Sequence, residues 1–212
     1  MQQAKKSIDY NEIYKRVDYG CPYPSKGLRF AAYYSTELAS NSKVLCVGCG
    51  NAWEVTYLRK FGLEAYGVDI VLPNVEYLKG KLVKAEVPYL PFRDNTFDLV
   101  ACCETLEHIP EETTNDFITE CRRVGEKSFF SVATEPDKFD THINVHSPVW
   151  WLNKLEEINY ELQEFRFRPS VTLLLAKNFL FRMKFPEGIM FFGSQNNKSH
   201  NTRLGKVEKH NE

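Results

Sequence analysis

Residues Lys43 to Ile70 read KVLCVGCGNAWEVTYLRKFGLEAYGVDI, and this stretch decides the fold. Val44 to Val47 is a short apolar run rich in β-branched residues, suited to a strand buried on both faces. Gly48-Cys49-Gly50 follows at once, a turn where missing side chains let backbone N–H groups come close to a ligand. Ala52 to Phe61 spaces Trp53, Tyr57, Leu58 and Phe61 like the buried side of a helix, and Gly62 supplies its C-cap. A second strand, Ala65 to Val68, ends on the acid Asp69. Strand, glycine turn, helix, strand and acid make one nucleotide-binding half of a doubly wound sheet. The acid is placed to accept both ribose hydroxyls.

The turn reads GCGNA, without the third glycine of the dinucleotide fingerprint, and a second stretch has no place in a dehydrogenase. This is Glu86 to Pro110, EVPYLPFRDNTFDLVACCETLEHIP. Together the two stretches resemble the class I S-adenosylmethionine (SAM)-dependent methyltransferases, particularly small members with signatures of the type VLDVGCGTG, LPFPDNSFDLV and EVLEHI. The resemblance is strong over Lys43 to Ile109 and loose elsewhere. It implies a Rossmann-like, doubly wound α/β fold with a mostly parallel seven-stranded sheet and a C-terminal antiparallel strand pair. It also implies SAM as cofactor, S-adenosylhomocysteine as product, and a set of binding residues. Val47, Gly48, Cys49 and Gly50 would form the cofactor turn, and Asp69 with Ile70 the ribose site. Glu86, after a strand Leu82 to Ala85, falls where the family usually has aspartate on the adenine amino group. Val87 would offer its backbone N–H to the ring. The chain departs from the family at Cys46, where an acid is usual, and at Ala52, where glycine is usual; both bear on how tightly SAM is held.

The 212 residues suffice for one domain with a substantial core. Lysine plus arginine (27) nearly cancel aspartate plus glutamate (28), so no basic field points to DNA, and a long RNA is disfavoured. No apolar run reaches the ~20 residues of a membrane span, and MQQAKKSIDY does not read as a signal peptide. Six cysteines at irregular spacing do not form a disulfide framework, which points to a cytoplasmic protein with reduced thiols. The expected organisation is a methyltransferase domain over 1–192, with 1–40 as an N-terminal helical cap, followed by a disordered polar tail over 193–212. Tyr10, Ile13, Tyr14 and Val17 keep helical spacing in the cap, Leu28 to Leu38 is a second helical candidate, and 19–24 is a loop.

Phe97 to Cys103 is the next buried strand, delivering Glu104 at its carboxyl end, where ligands collect in open α/β sheets. Cys46, Cys49, Cys102 and Cys103 would lie on neighbouring strands, but alternation points adjacent cysteines to opposite faces, so they read as small apolar core residues. Glu104, Glu107 and His108 stand at i, i+3 and i+4, so one helical turn could aim all three at one point. Two readings compete. The resemblance makes His108 a wall or base of the acceptor pocket in many members. In others an ExxEH motif binds a divalent ion, here through Glu104, Glu107, His108 and His146. His142 and His146 lie downstream in THINVH, after a strand Ser128 to Ala133. As bases for a hydroxyl acceptor, His108, His142 and Glu104 are candidates in that order.

Glu111 and Glu112 open a further helix whose buried side is Phe117, Ile118 and Cys121. The loop 134–147 is polar and long enough to cover an acceptor pocket. Ser147-Pro148 caps a helix with Trp150, Trp151, Leu155 and Ile158. The string His142-x-Asn144-x-His146-x-x-x-Trp150-Trp151 loosely resembles small methyltransferases of glycan modification, which makes an oxygen of a sugar or another small metabolite the expected acceptor. Alternatives are a metal-dependent RNA 3′-end-type methyltransferase and a methyltransferase-like scaffold without turnover. Tyr160 to Phe167 and Val171 to Ala176 read as the closing strand pair. The aromatic stretch 179–192 reads as an edge element or a homo-oligomer contact.

Overall fold

The computed structural model describes residues 8–16, 36–168 and 188–194. Its frame is β1 (Lys43–Val47), β2 (Glu64–Asp69), β3 (Leu82–Lys84), β4 (Phe97–Cys103), β5 (Gly125–Ala133), β6 (Glu161–Arg168) and β7 (Gly188–Ser194). The strands lie in the order β3-β2-β1-β4-β5-β7-β6. The first five of that order run parallel, while β7 is antiparallel to both β5 and β6. The sequence reverses direction outward from β1, first toward β2 and β3, then toward β4 and β5. That puts the switch point of the doubly wound sheet at the carboxyl ends of β1 and β4.

Alternation along the central strands builds two cores. Leu45, Val47, Val100 and Cys102 face one way, toward Phe117, Ile118 and Cys121 of α3 (Thr114–Val124) and Trp151 and Leu155 of α4 (Pro148–Glu157). Val44, Cys46, Leu99 and Ala101 face the other way, toward α2 (Trp53–Lys60). Helices on both faces explain why these strands are apolar throughout.

Several expectations need correction. The buried side of α2 is Val55, Thr56 and Leu58, whereas Trp53 and Phe61 are 40% and 45% exposed. The helix packs against small side chains at Cys46, Ala65 and Ala101, and the rings of Trp53 and Tyr57 stack together outside instead. The partner of β6 is β7, not 171–176, which lies outside the described residues, as does 179–187. Because β7 is hydrogen-bonded on both sides, its residues are not a sheet edge. Gly193 and Ser194 therefore belong to the sheet rather than to the polar tail, whose remaining residues, 195–212, lie outside the described part. Most of the second helical candidate, 28–38, and the loop 19–24 also fall outside it. No helix among the described residues is long and apolar enough to cross a membrane.

Arg123, at the end of α3, fastens the segment between β3 and β4. Its guanidinium donates to the carbonyls of Phe92 (2.9 Å) and Leu90 (3.1 Å) and pairs with Glu120 (2.7 Å) and Asp94 (2.6 Å). Two carbonyl acceptors and two carboxylates match the planar fork of arginine, not the point charge of lysine. Arg123→Lys should lower stability by roughly 1–2 kcal/mol in urea unfolding. Most of that loss should persist at 1 M salt, since the carbonyl bonds are not ion pairs; a loss abolished by salt would assign it to the carboxylates alone.

Candidate functional site

The turn after β1 carries left-handed backbone at Gly48 (φ +71), Gly50 (φ +48) and Ala52 (φ +57). Ala52 bears that conformation with a Cβ, at a cost of roughly 1–2 kcal/mol. At Gly48 even a methyl group is excluded: a Cβ would stand 2.2 Å from Thr105 Oγ1. That hydroxyl is itself within 3.4 Å of the Val47 carbonyl and 3.3 Å of the Cys103 carbonyl. The N–H groups of the turn point inward. Gly48 and Cys49 both donate to the Val68 carbonyl (2.9 and 3.1 Å), and Gly50 donates to Asp69 Oδ2 (2.8 Å). Donors expected to face a ligand are thus committed to β2. What remains above Gly50 is a cradle where, among the described residues, a Cβ would meet only the Tyr14 hydroxyl, at 3.9 Å.

Asp69 closes this arrangement. Its Oδ1 accepts the Val71 N–H (3.0 Å), and its Oδ2 accepts the Gly50 N–H and, at 3.4 Å, the Tyr14 hydroxyl. Burial pushes its pKa up, against the opposing pull of these donors. A carboxylate offers about four lone-pair sites, so a further donor can still be taken. Ile70 beside it is exposed. The Ala85 N–H donates to the Asp69 carbonyl (3.1 Å), which brings Glu86, exposed, and Val87, partly buried, beside the end of β2. Val47 to Gly50, Asp69 and Glu86 therefore line the carboxyl ends of β1, β2 and β3.

Cys46, Cys49 and Cys102 are buried, and burial pushes all three thiols up, so they are neutral core groups and not nucleophiles. Cys46 and Cys49 line a crevice at the end of β1 with Gly48, Cys103 and the Glu54 side chain of α2.

The Glu104 to His108 segment does not form the expected helical turn. Glu104 has φ +54, and only Leu106–His108 make a short 3-10 turn. The left-handed residue breaks the i, i+3, i+4 geometry, and the three side chains take different hydrogen-bond partners. Glu104 turns to β5, accepting the Ser131 hydroxyl. Glu107 is fully buried, with Oε1 accepting the Ala133 N–H (3.0 Å). His108 reaches the 134–147 loop, where its Nδ1 donates to the Thr141 carbonyl at 3.0 Å. His142 Nδ1 likewise donates to the Glu135 carbonyl at 2.6 Å. A carbonyl only accepts, so each neutral ring carries its proton on Nδ1 and keeps a lone pair on Nε2. The two rings meet edge to face at 4.8 Å. His146 does not join them: it stacks on Trp150 at 3.6 Å and pairs with Glu111 at 3.2 Å. Asn144 is a buried staple, donating to the Leu106 carbonyl and the Thr114 hydroxyl, each at 3.0 Å.

Two residues absent from the expected set connect the halves. On α1 (Tyr10–Ile13) and just after it, the Tyr10 ring meets His108 edge-on at 6.2 Å while the Tyr14 hydroxyl reaches Asp69. Their helical spacing was visible in sequence; which surface they cover was not.

Residues 45–128 match a family model described as a methyltransferase domain, and the sheet order and glycine turn agree with it. Over that stretch the chain is similar to methyltransferase domains, and its fold is that of SAM-dependent methyltransferases. A SAM-dependent methyltransferase from Archaeoglobus fulgidus superposes with TM-score 0.60 at 16% identity, covering 88% of this chain and 100% of that one. Demethylmenaquinone methyltransferase of Lactiplantibacillus plantarum is 29% identical over 127 residues, 53% of this chain and 52% of that protein. Norajmaline N-methyltransferase of Rauvolfia serpentina is 30% identical over 113 residues, 47% of this chain and 38% of that protein. The chain thus spans about half the length, or less, of these curated relatives. The residues present fit SAM: the space over Gly50 and the remaining acceptor capacity of Asp69 suit a ligand that presents hydroxyls.

Gly48→Ala should cost roughly 2–5 kcal/mol of stability, the sum of the left-handed backbone and the overpacking against Thr105. A melt unchanged from wild type would mean the turn relaxes freely. For His108, burial and the neighbouring His142 lower the pKa to about 4. The unfolded chain then binds the extra proton between about pH 6.5 and pH 4, so this group's contribution falls through that window as pH drops, by about 3 kcal/mol in all. Histidine NMR titration should find its ring neutral at pH 5; a ring protonated there would contradict the burial.

Proposed function

We propose that the protein transfers the methyl group of SAM to a small acceptor, an oxygen of a sugar or a comparable small metabolite. The observation that carries this reading is the pair His108 and His142. Each has its Nδ1 fixed on a carbonyl and so keeps Nε2 as a proton acceptor. Through Tyr10 and Tyr14 the pair is linked to the cradle at Gly50 and Asp69.

In this reading Gly48 to Gly50 and Asp69 with Ile70 hold the adenosyl ribose, and Glu86 and Val87 receive the adenine. SAM supplies a methyl carbon already activated by its sulfonium. The chain's own task is therefore alignment, which alone accelerates a displacement greatly. Either imidazole can accept the proton of a hydroxyl acceptor through Nε2; the low pKa of His108 keeps it neutral at physiological pH and also makes it a weak base. Glu104, committed to Ser131, is the third candidate. A small acceptor is supported by the net charge of −1 and by the contact of loop 134–147 with His108 through the Thr141 carbonyl. The relatives' names carry small-molecule acceptors too. The rival reading, a SAM-fold scaffold without turnover, draws on the inward-pointing N–H groups and on Cys46 and Ala52.

Calorimetric titration of SAM and S-adenosylhomocysteine tests the cofactor half. Micromolar binding is expected, weakened by roughly 1–3 kcal/mol in Asp69→Asn. Failure of both molecules to bind would leave the scaffold reading in front. Labelled methyl transfer to a panel of sugars and phenols tests the other half. His108→Gln should cut turnover at least about a hundredfold with SAM affinity intact; equal loss of both would make His108 structural.

A further inference from the structure

The Thr141–His142 peptide is held at both ends. At one end Asp137 accepts the His142 N–H (3.1 Å), and at the other the Thr141 carbonyl accepts His108 Nδ1–H (3.0 Å). A trans peptide is planar, with its N–H and C=O pointing opposite ways, so the acid and the imidazole stand on opposite sides of this one unit. Asp137 also accepts the Thr141 N–H (2.7 Å) and the Thr141 hydroxyl (2.8 Å), which fixes the preceding peptide from the same side. From this geometry we infer that Asp137 is the positioning residue of both candidate bases, holding the proton of each imidazole on Nδ1. That role rests on the reading of His108 and His142 as bases.

The same turn serves His142. Closing 137–142 on the Asp137 carboxylate brings the His142 ring back to Glu135, whose carbonyl accepts its Nδ1–H at 2.6 Å. Which imidazole nitrogen keeps the proton is set by the bonds the ring makes, and here both rings are given a carbonyl at Nδ1. With that carbonyl displaced, the proton is free to move to Nε2. The lone pair that would deprotonate a hydroxyl is then lost.

Charge adds to orientation. Burial works to raise the Asp137 pKa, but the Thr141 and His142 donors outweigh it and hold it below the ordinary carboxylate range, so the group is ionised at neutral pH. A carboxylate on the N–H end polarises the peptide and makes its carbonyl the better acceptor. For His108, burial and His142 lower the pKa, while the Thr141 bond and the Asp137 charge oppose them. A weak base is thus kept from becoming weaker. The loop also has an anchorage that does not involve Asp137. The Ile143 and Asn144 N–H groups donate to the Glu107 carbonyl at 2.8 and 3.0 Å, and the Asn144 side chain donates to the Leu106 carbonyl at 3.0 Å. Loss of the Asp137 carboxylate therefore acts on the two imidazoles and leaves the segment after His142 in place.

Imidazole nitrogen NMR of the full chain reads the tautomer of each ring without any acceptor or methyl transfer, with His108→Gln and His142→Gln assigning the signals. In the wild type at neutral pH both rings should carry the proton on Nδ1. In Asp137→Asn the His108 ring should pass to a mixture of tautomers or to the Nε2–H form. Turnover should fall at least about tenfold with SAM affinity unchanged, a part of what a general base supplies. Asp140→Asn is the control. It removes the same charge from the same loop, at an exposed residue whose left-handed backbone (φ +56) asparagine also accepts, and should leave both tautomers as they were. Thermal melts report folding, and Asp137→Ser, a short acceptor without the charge, serves if Asp137→Asn does not fold.

An Nε2–H ring at His108 or His142 in the wild type overturns this role of Asp137. So do unchanged tautomers in a folded Asp137 variant, or an equal shift in Asp140→Asn. The two readings fail separately. Tautomers that shift in Asp137→Asn, with no methyl transfer by the wild type, reject the histidines as bases and leave the positioning intact. Turnover by the wild type, with tautomers unchanged in Asp137→Asn, rejects the positioning alone.

Discussion

The carboxylate of Asp69 is the constraint on which the candidate site depends. It lies at the end of β2, 5% exposed, and draws in the N–H groups of Gly50 and Val71 together with the Tyr14 hydroxyl. A buried carboxylate is costly unless hydrogen bonds replace its water, and here those bonds come from separate segments of the chain. The acid therefore fixes the turn after β1, the start of the β2–β3 connection and the residues just after α1 relative to one another. With Val68 taking the N–H groups of Gly48 and Cys49, the turn is sewn to β2 before any ligand arrives. Recognition is left to the space over Gly50 and to side chains around it.

The same logic of commitment separates the polar residues of the β4 carboxyl end. Glu104, Glu107 and His108 are close in sequence, yet each is recruited by a different neighbour: Ser131, Ala133 and Thr141. The left-handed backbone at Glu104 makes these separate partnerships possible. Strain of this kind is retained where the surroundings over-determine it, commonly at functional sites. A partner for His108 comes from elsewhere in the chain, on the 134–147 loop, which Asp137 folds so that His142 meets His108. Asn144, within this loop, and Trp151, in α4, are both buried, so the string His142 to Trp151 is in good part scaffold.

Much was legible before any coordinates. The glycine turn, the acid at Asp69 and the strand Phe97 to Cys103 follow from local rules, because each depends on a period or a missing side chain within a few residues. The buried thiols followed too, since strand alternation divides Cys46 from Val47 and Cys102 from Cys103. Less legible were contacts that cross long separations. The pairing of β6 with β7 skips the intervening segment, and the face of α2 was misjudged because aromatic residues were assumed to be inside.

The sequence by itself determined the doubly wound frame and the place of the switch point. These are properties of short segments, where steric and hydrophobic patterns act locally. Only the tertiary structure decided which way the turn's N–H groups point, which histidine joins His108, and what α1 covers. Those outcomes depend on desolvation and on competition among many possible hydrogen-bond partners, and that competition is resolved only when distant segments are packed together.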